Sequence, residues 1–311
     1  MDLRSERKKF EETKKIYESV QLKFNGVADG YDVYNCSIPF MYHGERYIYG
    51  RVEKTAEWAR SVSKLFKETA KDEFTLVTNS MIYQLEDPYV SFIHGQLVLG
   101  GTHVRYNAGK LEGYCGYFYK GTDLEDLYYF TSGPYSMKDI RLVQLSDGRI
   151  GLFSRPGYVG YTVVDKLEDI SSDIIKNAPP IDGFIGEGQN GSVNQAYLLD
   201  SGLVGIIGHL AYRETDEKTG ILLSVYTNIS AIFNPATKEL YDYKVIGTRP
   251  CYPDFPPKIP ALADCTFTSG IVMRDDGKVD LYGGMGDRRE GRITIDYPFE
   301  GYGKIITPDS L

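Results

Sequence analysis

The sequence lacks most of the features that assign a chain to a functional class at sight. Its four cysteines are not spaced as Cys-x-x-Cys, so no metal site is expected, and free thiols are typical of a reducing, cytoplasmic location. No apolar run reaches about 18 residues, so no membrane span is expected. The first residues are charged with no apolar core behind them, so no secretory leader is expected. The net charge of −8 lacks the basic excess that nucleic-acid partners require.

What the sequence does contain indicates a β-protein with a helical start. From Val20 onward, short alternating apolar runs are broken by Gly, Pro and Asp, which is typical of strands and turns. Residues 1–19 alternate in charge with sparse apolar positions, which predicts an N-terminal helical extension ahead of one catalytic domain over 20–311. This helix could pack on its own domain or form a subunit contact in a homo-oligomer. A second helix is predicted at 55–71, around Trp58.

An internal repeat is the strongest structural signal. Five turn glycines recur in five similar segments: Gly44, Gly95, Gly148, Gly202 and Gly277. In every copy an aliphatic residue follows the glycine by four positions and a small residue follows it by six. The glycines are 51, 53, 54 and 75 residues apart, which suits a four-stranded blade with its loops. The repeat therefore predicts an all-β fold, a five-bladed β-propeller with a short N-terminal helix. A jelly roll or sandwich is the alternative, but neither has a repeated unit of this length.

The second copy, residues 86–103, reads as a β-hairpin that opens at Asp87 and ends at His103. The first strands of the copies open with comparable polar residues, although Asp264 needs a bulge or an extra turn to join them. Glu86 is expected to face away from Asp87, because neighbours on a strand alternate. If the blades superpose, one mouth of the channel is expected to collect Asn35, Arg51, Asp87, His103, Lys138, Asp139, Arg155, Asn194, His209 and Asp264. A polar pocket of this kind is the default ligand site.

Several short motifs follow one another in an order that resembles glycoside hydrolase family 130. They are Glu86-Asp87-Pro88, Lys138-Asp139, Ser154-Arg155-Pro156, Gly208-His209, Asp264-Cys265-Thr266-Phe267 and Tyr282-Gly283-Gly284. That family comprises five-bladed propellers that act on β-mannosides, mostly as inverting phosphorylases. Over the whole propeller the chain resembles more closely glycosyltransferase family 108, formerly domain of unknown function 1861. Its members are β-1,2-mannoside phosphorylases and mannosyltransferases. Tyr89 is a departure, because family 130 usually has Arg after this proline.

The resemblance implies a role for each of these residues. Asp87 would be the catalytic acid. The phosphate would be held by Lys138, Arg155 and His209, with Tyr212 as a helper. The mannosyl hydroxyls would be bound by Asn35, Asp139 and Asp264. Independently of the resemblance, Arg51, His103 and Asn194 are expected to bind substrate because of their predicted place at the mouth of the channel. No cofactor is expected beyond inorganic phosphate, which is a co-substrate.

The residues suit this chemistry on their own terms. An inverting hydrolase needs a second carboxylate to activate water, whereas a phosphorylase needs one acid and a cationic cradle for phosphate. The expected function is an inverting β-1,2-mannoside phosphorylase, which converts β-manno-oligosaccharide and phosphate to α-mannose 1-phosphate and catalyses the reverse synthesis. The alternatives are a GDP-mannose-dependent mannosyltransferase, a β-mannoside hydrolase and a catalytically silent sugar-binding propeller.

Overall fold

The five repeat glycines all lie in hairpin turns. Their φ angles fall between 71° and 84°, the left-handed region that glycine adopts without a steric penalty. Each turn joins two antiparallel strands of one sheet. The repeat thus marks five hairpins, as the sequence predicts.

The computed structural model describes residues 2–58, 60–155, 157–308 and 310–311. Its strands form five sheets arranged as a five-bladed β-propeller, which confirms the predicted fold. Blade 1 contains β2 (Lys23–Asn25), β3 (Tyr31–Tyr34), β4 (Phe40–Tyr42), β5 (Glu45–Lys54), β6 (Val62–Ala70) and β7 (Glu73–Leu76). Blade 2 contains β8 (Glu86–Ile93), β9 (Gln96–Asn107), β10 (Lys110–Gly121) and β11 (Tyr128–Ser132).

The remaining three blades follow in chain order. Blade 3 contains β12 (Arg141–Gln144), β13 (Ile150–Ser154) and β14 (Gly160–Val164). Blade 4 contains β15 (Asn190–Leu198), β16 (Val204–Thr215), β17 (Leu222–Phe233) and β18 (Leu240–Thr248). Blade 5 contains β19 (Thr266–Met273), β20 (Val279–Met285) and β21 (Arg289–Ile295). The first strands of blades 2, 3 and 4 each contact the first strand of the following blade, so the first strands of blades 2 to 5 line the axis.

The N-terminal segment closes the propeller. Strand β1 (Glu18–Gln21) pairs antiparallel with β21 and becomes the outer strand of blade 5. The predicted boundary between residues 19 and 20 therefore falls inside this strand. Before it, helix α1 (Leu3–Thr13) buries Leu3 and packs on blade 4, so the helix lies on its own propeller. A short helix α2 (Ser172–Lys176) and three 3-10 turns, Leu167–Asp169, Arg249–Cys251 and Pro260–Leu262, lie in the connections.

The predicted helix at 55–71 is wrong. Residues 55 and 56 form a turn and β6 follows, paired with β5. Leu65 and Phe66 are adjacent and both buried, but they pack in different core clusters on the two faces of the blade. A strand covered on both faces buries consecutive residues and so imitates a helical pattern. Ala59, within the predicted helix, and Pro156, within one of the motifs, lie outside the described residues.

Close contacts explain why a small residue lies six positions after the turn glycine. An added Cβ at Gly101 would lie 2.8 Å from the carbonyl oxygen of Glu86, and at Gly208 it would lie 2.3 Å from that of Ser192. In both blades the first strand has a β-bulge at this point, which crowds its backbone against the glycine. In these two blades the repeated small residue makes room for the bulge, which shapes the site described below.

Glu290, on β21, is a fully buried carboxyl that accepts hydrogen bonds from the Cys36 amide and the Ser269 hydroxyl. Burial raises the pKa of Glu290 to about 8, with these hydrogen bonds opposing the rise. Between its ordinary value of 4.5 and about 8, the folded chain holds a proton that the unfolded chain has released. Folding stability therefore falls as the pH rises through this window, by up to about 1.4 kcal/mol per pH unit for one proton.

The Glu290→Gln variant is expected to lose this contribution. Its melting temperature, measured from pH 5 to pH 8, should fall less steeply than that of the unmodified chain. Glu217→Gln, at an exposed position, is the matched control and should follow the unmodified chain. Parallel curves for all three proteins would show that Glu290 does not titrate in this range.

Candidate functional site

Three polar residues share a left-handed backbone conformation in the first three blades. Asn35, Asp87 and Asp139 have φ angles of 46°, 48° and 56°. Asn and Asp are the side chains that most readily enter this left-handed region. Asp87 lies at the β-bulge that faces Gly101, the small residue six positions after its turn glycine. The repeat thus places three short polar side chains at one end of the axis.

These residues line a cavity of about 130 Å³ at that end of the propeller. Its walls are formed by Asn35, Arg51, Trp58, Glu86, Asp87, Lys138, Asp139, Arg155, His209, Tyr226, Leu262, Cys265, Phe267 and Asp287. Seven of the predicted site residues are brought together here: Asn35, Arg51, Asp87, Lys138, Asp139, Arg155 and His209. Their individual roles stay predictions.

One side of the cavity is built around Arg51 from blade 1. Its Nη1 donates to Asp87 Oδ1 at 2.9 Å and its Nη2 donates to Glu86 Oε1 at 3.0 Å. Asn35 Nδ2 donates to Asp87 Oδ1 at 2.9 Å and to Asp287 Oδ1 at 3.2 Å. A carboxylate with two such donors is held in one orientation and is stabilised when it carries a charge.

The expectation that Glu86 faces away from Asp87 is wrong. The left-handed φ of Asp87 and the bulge after Glu86 interrupt the alternation of the strand, so Glu86 faces the same cavity. Burial raises the pKa of Glu86 to about 7, with Arg51 opposing and the charge of Asp87 adding to the rise. Burial also raises the pKa of Asp287, which lies in the turn between β20 and β21.

The other side of the cavity carries two cations from blade 3. Burial works against the charged form of Lys138, but Asp139 and Asp87 outweigh it and raise its pKa. Burial works against the charged form of Asp139 as well, yet Arg155 and Lys138 hold its pKa well below the usual range. Arg155 contacts Asp139 through one guanidinium nitrogen and the Asn190 side chain through the other. Lys138 and Arg155 thus present a fixed positive charge to the cavity.

His209 does not add a third positive charge at neutral pH. Burial lowers the pKa of His209 to about 3; Asp139 opposes this, and Arg155 and Lys138 add to it. Its Nδ1 lies 2.7 Å from Asn194 Oδ1, an acceptor, so this contact assigns the proton to Nδ1 and leaves Nε2 as an acceptor. His209 can therefore accept a hydrogen bond from a hydroxyl group. Asn194 lies behind the ring and orients it.

Three predicted residues lie away from the cavity wall. His103 stacks on Tyr117 with ring centroids 4.4 Å apart. Tyr212 lies on β16 of blade 4, where the Arg4 guanidinium is 4.4 Å from the centroid of its ring. Asp264 precedes β19 by two residues and is bound by Arg7 of α1, at 2.7 and 2.8 Å. The β19–β20 hairpin does contain a bulge, between Thr268 and Gly270, but Asp264 lies before the strand and does not line the cavity.

The Arg7–Asp264 pair joins α1 to the loop that contains the cavity-lining residues Leu262 and Cys265. Arg7→Ala is expected to lower the free energy of unfolding by about 1.5–3 kcal/mol, since it leaves a half-buried carboxylate without its charged partner. Lys9→Ala on the same helix is the control, because its pair with Glu6 is exposed and contributes little. Denaturant unfolding of the two variants checks this, and equal losses would contradict it.

Seven lining residues were not among the predicted site residues: Trp58, Glu86, Tyr226, Leu262, Cys265, Phe267 and Asp287. Tyr226 lies on β17 and stacks on His209 with ring centroids 5.1 Å apart. The sequence held a signal only for Glu86. Recurrent Asn and Asp at one strand position indicate a left-handed backbone there, which changes the face of the strand on which the neighbouring side chain lies.

Among the described residues no group of three or more His, Cys, Asp or Glu could hold a metal ion. Within the same residues no helix is both long and apolar enough to traverse a bilayer.

Comparison with known proteins gives clear matches. A family model described as a protein of unknown function, DUF1861, matches residues 8–301. MPT-4, a mannose phosphorylase from Leishmania mexicana solved in complex with a phosphate ion, is 52% identical with a TM-score of 0.96, over 99% of this chain and 97% of that chain. MPT-1, a GDP-Man-dependent mannosyltransferase from the same organism, is 48% identical with a TM-score of 0.96, over 99% and 98%.

A more distant match shares the fold. The β-1,2-mannobiose phosphorylase from Listeria innocua, in complex with β-1,2-mannobiose, is 14% identical with a TM-score of 0.63, over 88% of this chain and 92% of that chain. No curated protein sequence matches.

Proposed function

The chain belongs to the DUF1861 family, and from this premise we propose that it is an inverting β-1,2-mannoside phosphorylase. One similar structure is a mannose phosphorylase and another is a GDP-Man-dependent mannosyltransferase, so this chain is an enzyme of mannosyl transfer. The choice of phosphate as co-substrate, the β-1,2 linkage and the site residues belong to the proposal. One observation carries it: a single small cavity brings the cations Lys138 and Arg155 together with Asp87, which is held by Arg51 and Asn35.

The proposed reaction is one displacement. A phosphate oxygen, held by Lys138 and Arg155, forms a bond to the anomeric carbon of the terminal mannosyl unit. The glycosidic bond breaks on the opposite face, and Asp87 supplies the proton that the leaving oxygen takes up, directly or through a sugar hydroxyl. The configuration inverts from β to α, which gives α-mannose 1-phosphate. Arg and Lys suit the phosphate side, because they neutralise its charge in the ground state and in the transition state.

Asp87 is positioned to give up a proton and to recover it. Once it has lost the proton, Arg51 and Asn35 stabilise the carboxylate at 2.9 Å each. In the synthetic direction the same carboxylate takes the proton from the hydroxyl of the acceptor sugar. Asn35, Asp139 and the acceptor nitrogen of His209 remain as hydrogen-bonding groups for the mannosyl hydroxyls.

A donor comparison tests the proposal against its main rival. The purified chain is incubated with mannose as acceptor and with either α-mannose 1-phosphate or GDP-mannose as donor, and elongated product is measured by chromatography. We expect turnover with α-mannose 1-phosphate at least tenfold faster than with GDP-mannose. Faster turnover with GDP-mannose would make the chain a nucleotide-sugar transferase instead.

A further inference from the structure

Glu53, on β5, is a fully buried carboxylate that lies behind the cavity wall rather than in it. Its two oxygens accept hydrogen bonds from the Arg51 guanidinium at 3.3 Å, the Arg60 amide at 3.1 Å, the Ser61 hydroxyl at 2.8 Å, the Tyr34 hydroxyl at 2.5 Å and the Lys258 ammonium. Burial works against the charged form of Glu53, but Arg51 and Lys258 outweigh it and lower its pKa. Glu53 is therefore a charged and firmly held group.

Glu53 and Ser61 together hold Arg51 from behind. Glu53 Oε1 accepts from Arg51 Nη2, and Ser61 Oγ accepts from Arg51 Nε at 2.7 Å while donating to the same Oε1. On its other side, the guanidinium donates to Asp87 through Nη1 and to Glu86 through Nη2. Because the guanidinium is planar and rigid, fixing two of its nitrogens fixes the direction of the third, which contacts Asp87.

The second oxygen of Glu53 connects blade 1 to a turn of blade 5. Oε2 accepts from the Tyr34 hydroxyl and from Lys258, whose side chain is only 3% exposed. The Lys258 amide donates to the Gly286 carbonyl oxygen at 2.9 Å. Gly286 precedes Asp287, which lines the cavity. Glu53 thus supports the cavity wall at two places without lining it.

We propose that Glu53 is a positioning residue, which sets the direction of the Arg51 guanidinium and through it the orientation of the Asp87 carboxyl. This role rests on the proposed function, because it takes Asp87 as the acid. An acid must lie within hydrogen-bond reach of the oxygen that it protonates, and a misplacement of about 1 Å can cost on the order of 100-fold in rate.

The charge of Glu53 matters as well as its geometry. Arg51 lies beside Glu86 and Asp87, and an unopposed cation there would favour loss of the proton that an acid must keep. Burial raises the pKa of Glu86 to about 7, and the charge of Glu53 adds to this rise while Arg51 opposes it. A neutral acceptor in place of Glu53 would orient Arg51 but would not offset its charge.

The Glu53→Gln variant tests both effects. It keeps an oxygen for the Arg60 amide and the Ser61 hydroxyl but loses the charge. We expect the kcat for phosphorolysis of β-1,2-mannobiose to fall about tenfold. The KM for phosphate should stay within twofold, since neither Lys138 nor Arg155 contacts Glu53. Asp32→Asn is the matched control, because Asp32 is a buried carboxylate opposite Glu53 that pairs with Arg289 instead, and it should keep its kcat.

The pH profile separates positioning from a purely structural role. Besides the cations Arg51, Arg60 and Lys258, the titratable groups near Glu53 are Asp32, Tyr34, Glu86 and Tyr106, with Asp87 and Asp287 beyond Arg51. Removing a negative charge makes the carboxyls among them lose their protons more readily. The high-pH limb of kcat/KM for the sugar should therefore move to lower pH in Glu53→Gln. A lower melting temperature with unchanged kcat and pH profile would overturn the role.

Ser61→Ala tests the same contact without changing a charge. It removes one of the two groups that hold Arg51, so kcat should fall about threefold, as for one neutral hydrogen bond, with the pH profile in place. If Glu53→Gln does not fold, an unchanged kcat in Ser61→Ala overturns the role.

The same assays distinguish failure of this role from failure of the proposed function. A chain that forms no α-mannose 1-phosphate but elongates mannose from GDP-mannose refutes the function, and the two variants assayed with that donor then decide the role of Glu53. A chain that catalyses phosphorolysis equally well with Glu53 or Gln at this position, with one pH profile, refutes the role and keeps the function.

Discussion

The Asp87→Asn variant is expected to catalyse phosphorolysis of β-1,2-mannobiose with a kcat lowered on the order of 10²-fold or more, as is typical for loss of a general acid. Asn retains an oxygen that can accept from Asn35 and Arg51, so the side chain should stay in place. It has no acidic proton for the leaving oxygen. Initial rates of α-mannose 1-phosphate formation, with circular dichroism to confirm the fold, measure the effect.

Two further variants make this result specific. Asp32→Asn is the matched control, because Asp32 is also a buried Asp paired with an arginine, Arg289, yet lies outside the cavity. It should keep its kcat. Glu86→Gln should lose less activity than Asp87→Asn. A larger loss in Glu86→Gln would identify Glu86 as the acid. An Asp87→Asn variant with unchanged activity would refute acid catalysis by Asp87. If neither the unmodified chain nor the Asp87→Asn variant is active while both bind sugar equally, a sugar-binding propeller is favoured.

The Arg155→Ala variant is expected to raise the KM for phosphate about 10- to 100-fold, because it loses charged hydrogen bonds to the anion. The KM for β-1,2-mannobiose should change less, because Asp139, the proposed mannosyl-binding residue that Arg155 contacts, keeps Lys138 and Arg141 as neighbouring cations. Steady-state kinetics with each substrate varied in turn separate the two constants.

Arg149→Ala provides the control for this prediction. Arg149 is on the same blade, in the turn after Gly148, and pairs only with Asp147 among the described residues at an exposed position. Removing it should leave both constants unchanged. If Arg155→Ala raised the KM for the sugar and left that for phosphate unaltered, Arg155 would belong to the mannosyl subsite.

The fold was predictable because its signal is local. A turn glycine with positive φ, an aliphatic residue and a small residue are set by the backbone of one hairpin, and they recur five times. The segment 55–71 was misread for a related reason. Leu65 and Phe66 are buried on opposite faces of a blade, and the chain alone does not reveal that both faces are covered.

The site was predictable as far as the repeat reaches. Asn35, Asp87 and Asp139 share one backbone conformation, and their partners Arg51 and Arg155 lie seven positions after the turn glycines of blades 1 and 3. Outside the repeated positions the prediction fails. Asp264 lies before its strand, where α1 supplies a long-range partner, and Asp287 lies in the turn between β20 and β21, outside the positions that the repeat aligns. The charge of His209 also depends on burial, which no spacing encodes.

Phosphorus NMR on the purified chain with β-1,2-mannobiose and inorganic phosphate tests the central claim most directly. The account predicts a signal from α-mannose 1-phosphate that grows with an equal amount of mannose, and no release of mannose when phosphate is omitted. Release of mannose at the same rate without phosphate would contradict it and identify a hydrolase. A β-configured product would contradict the single displacement.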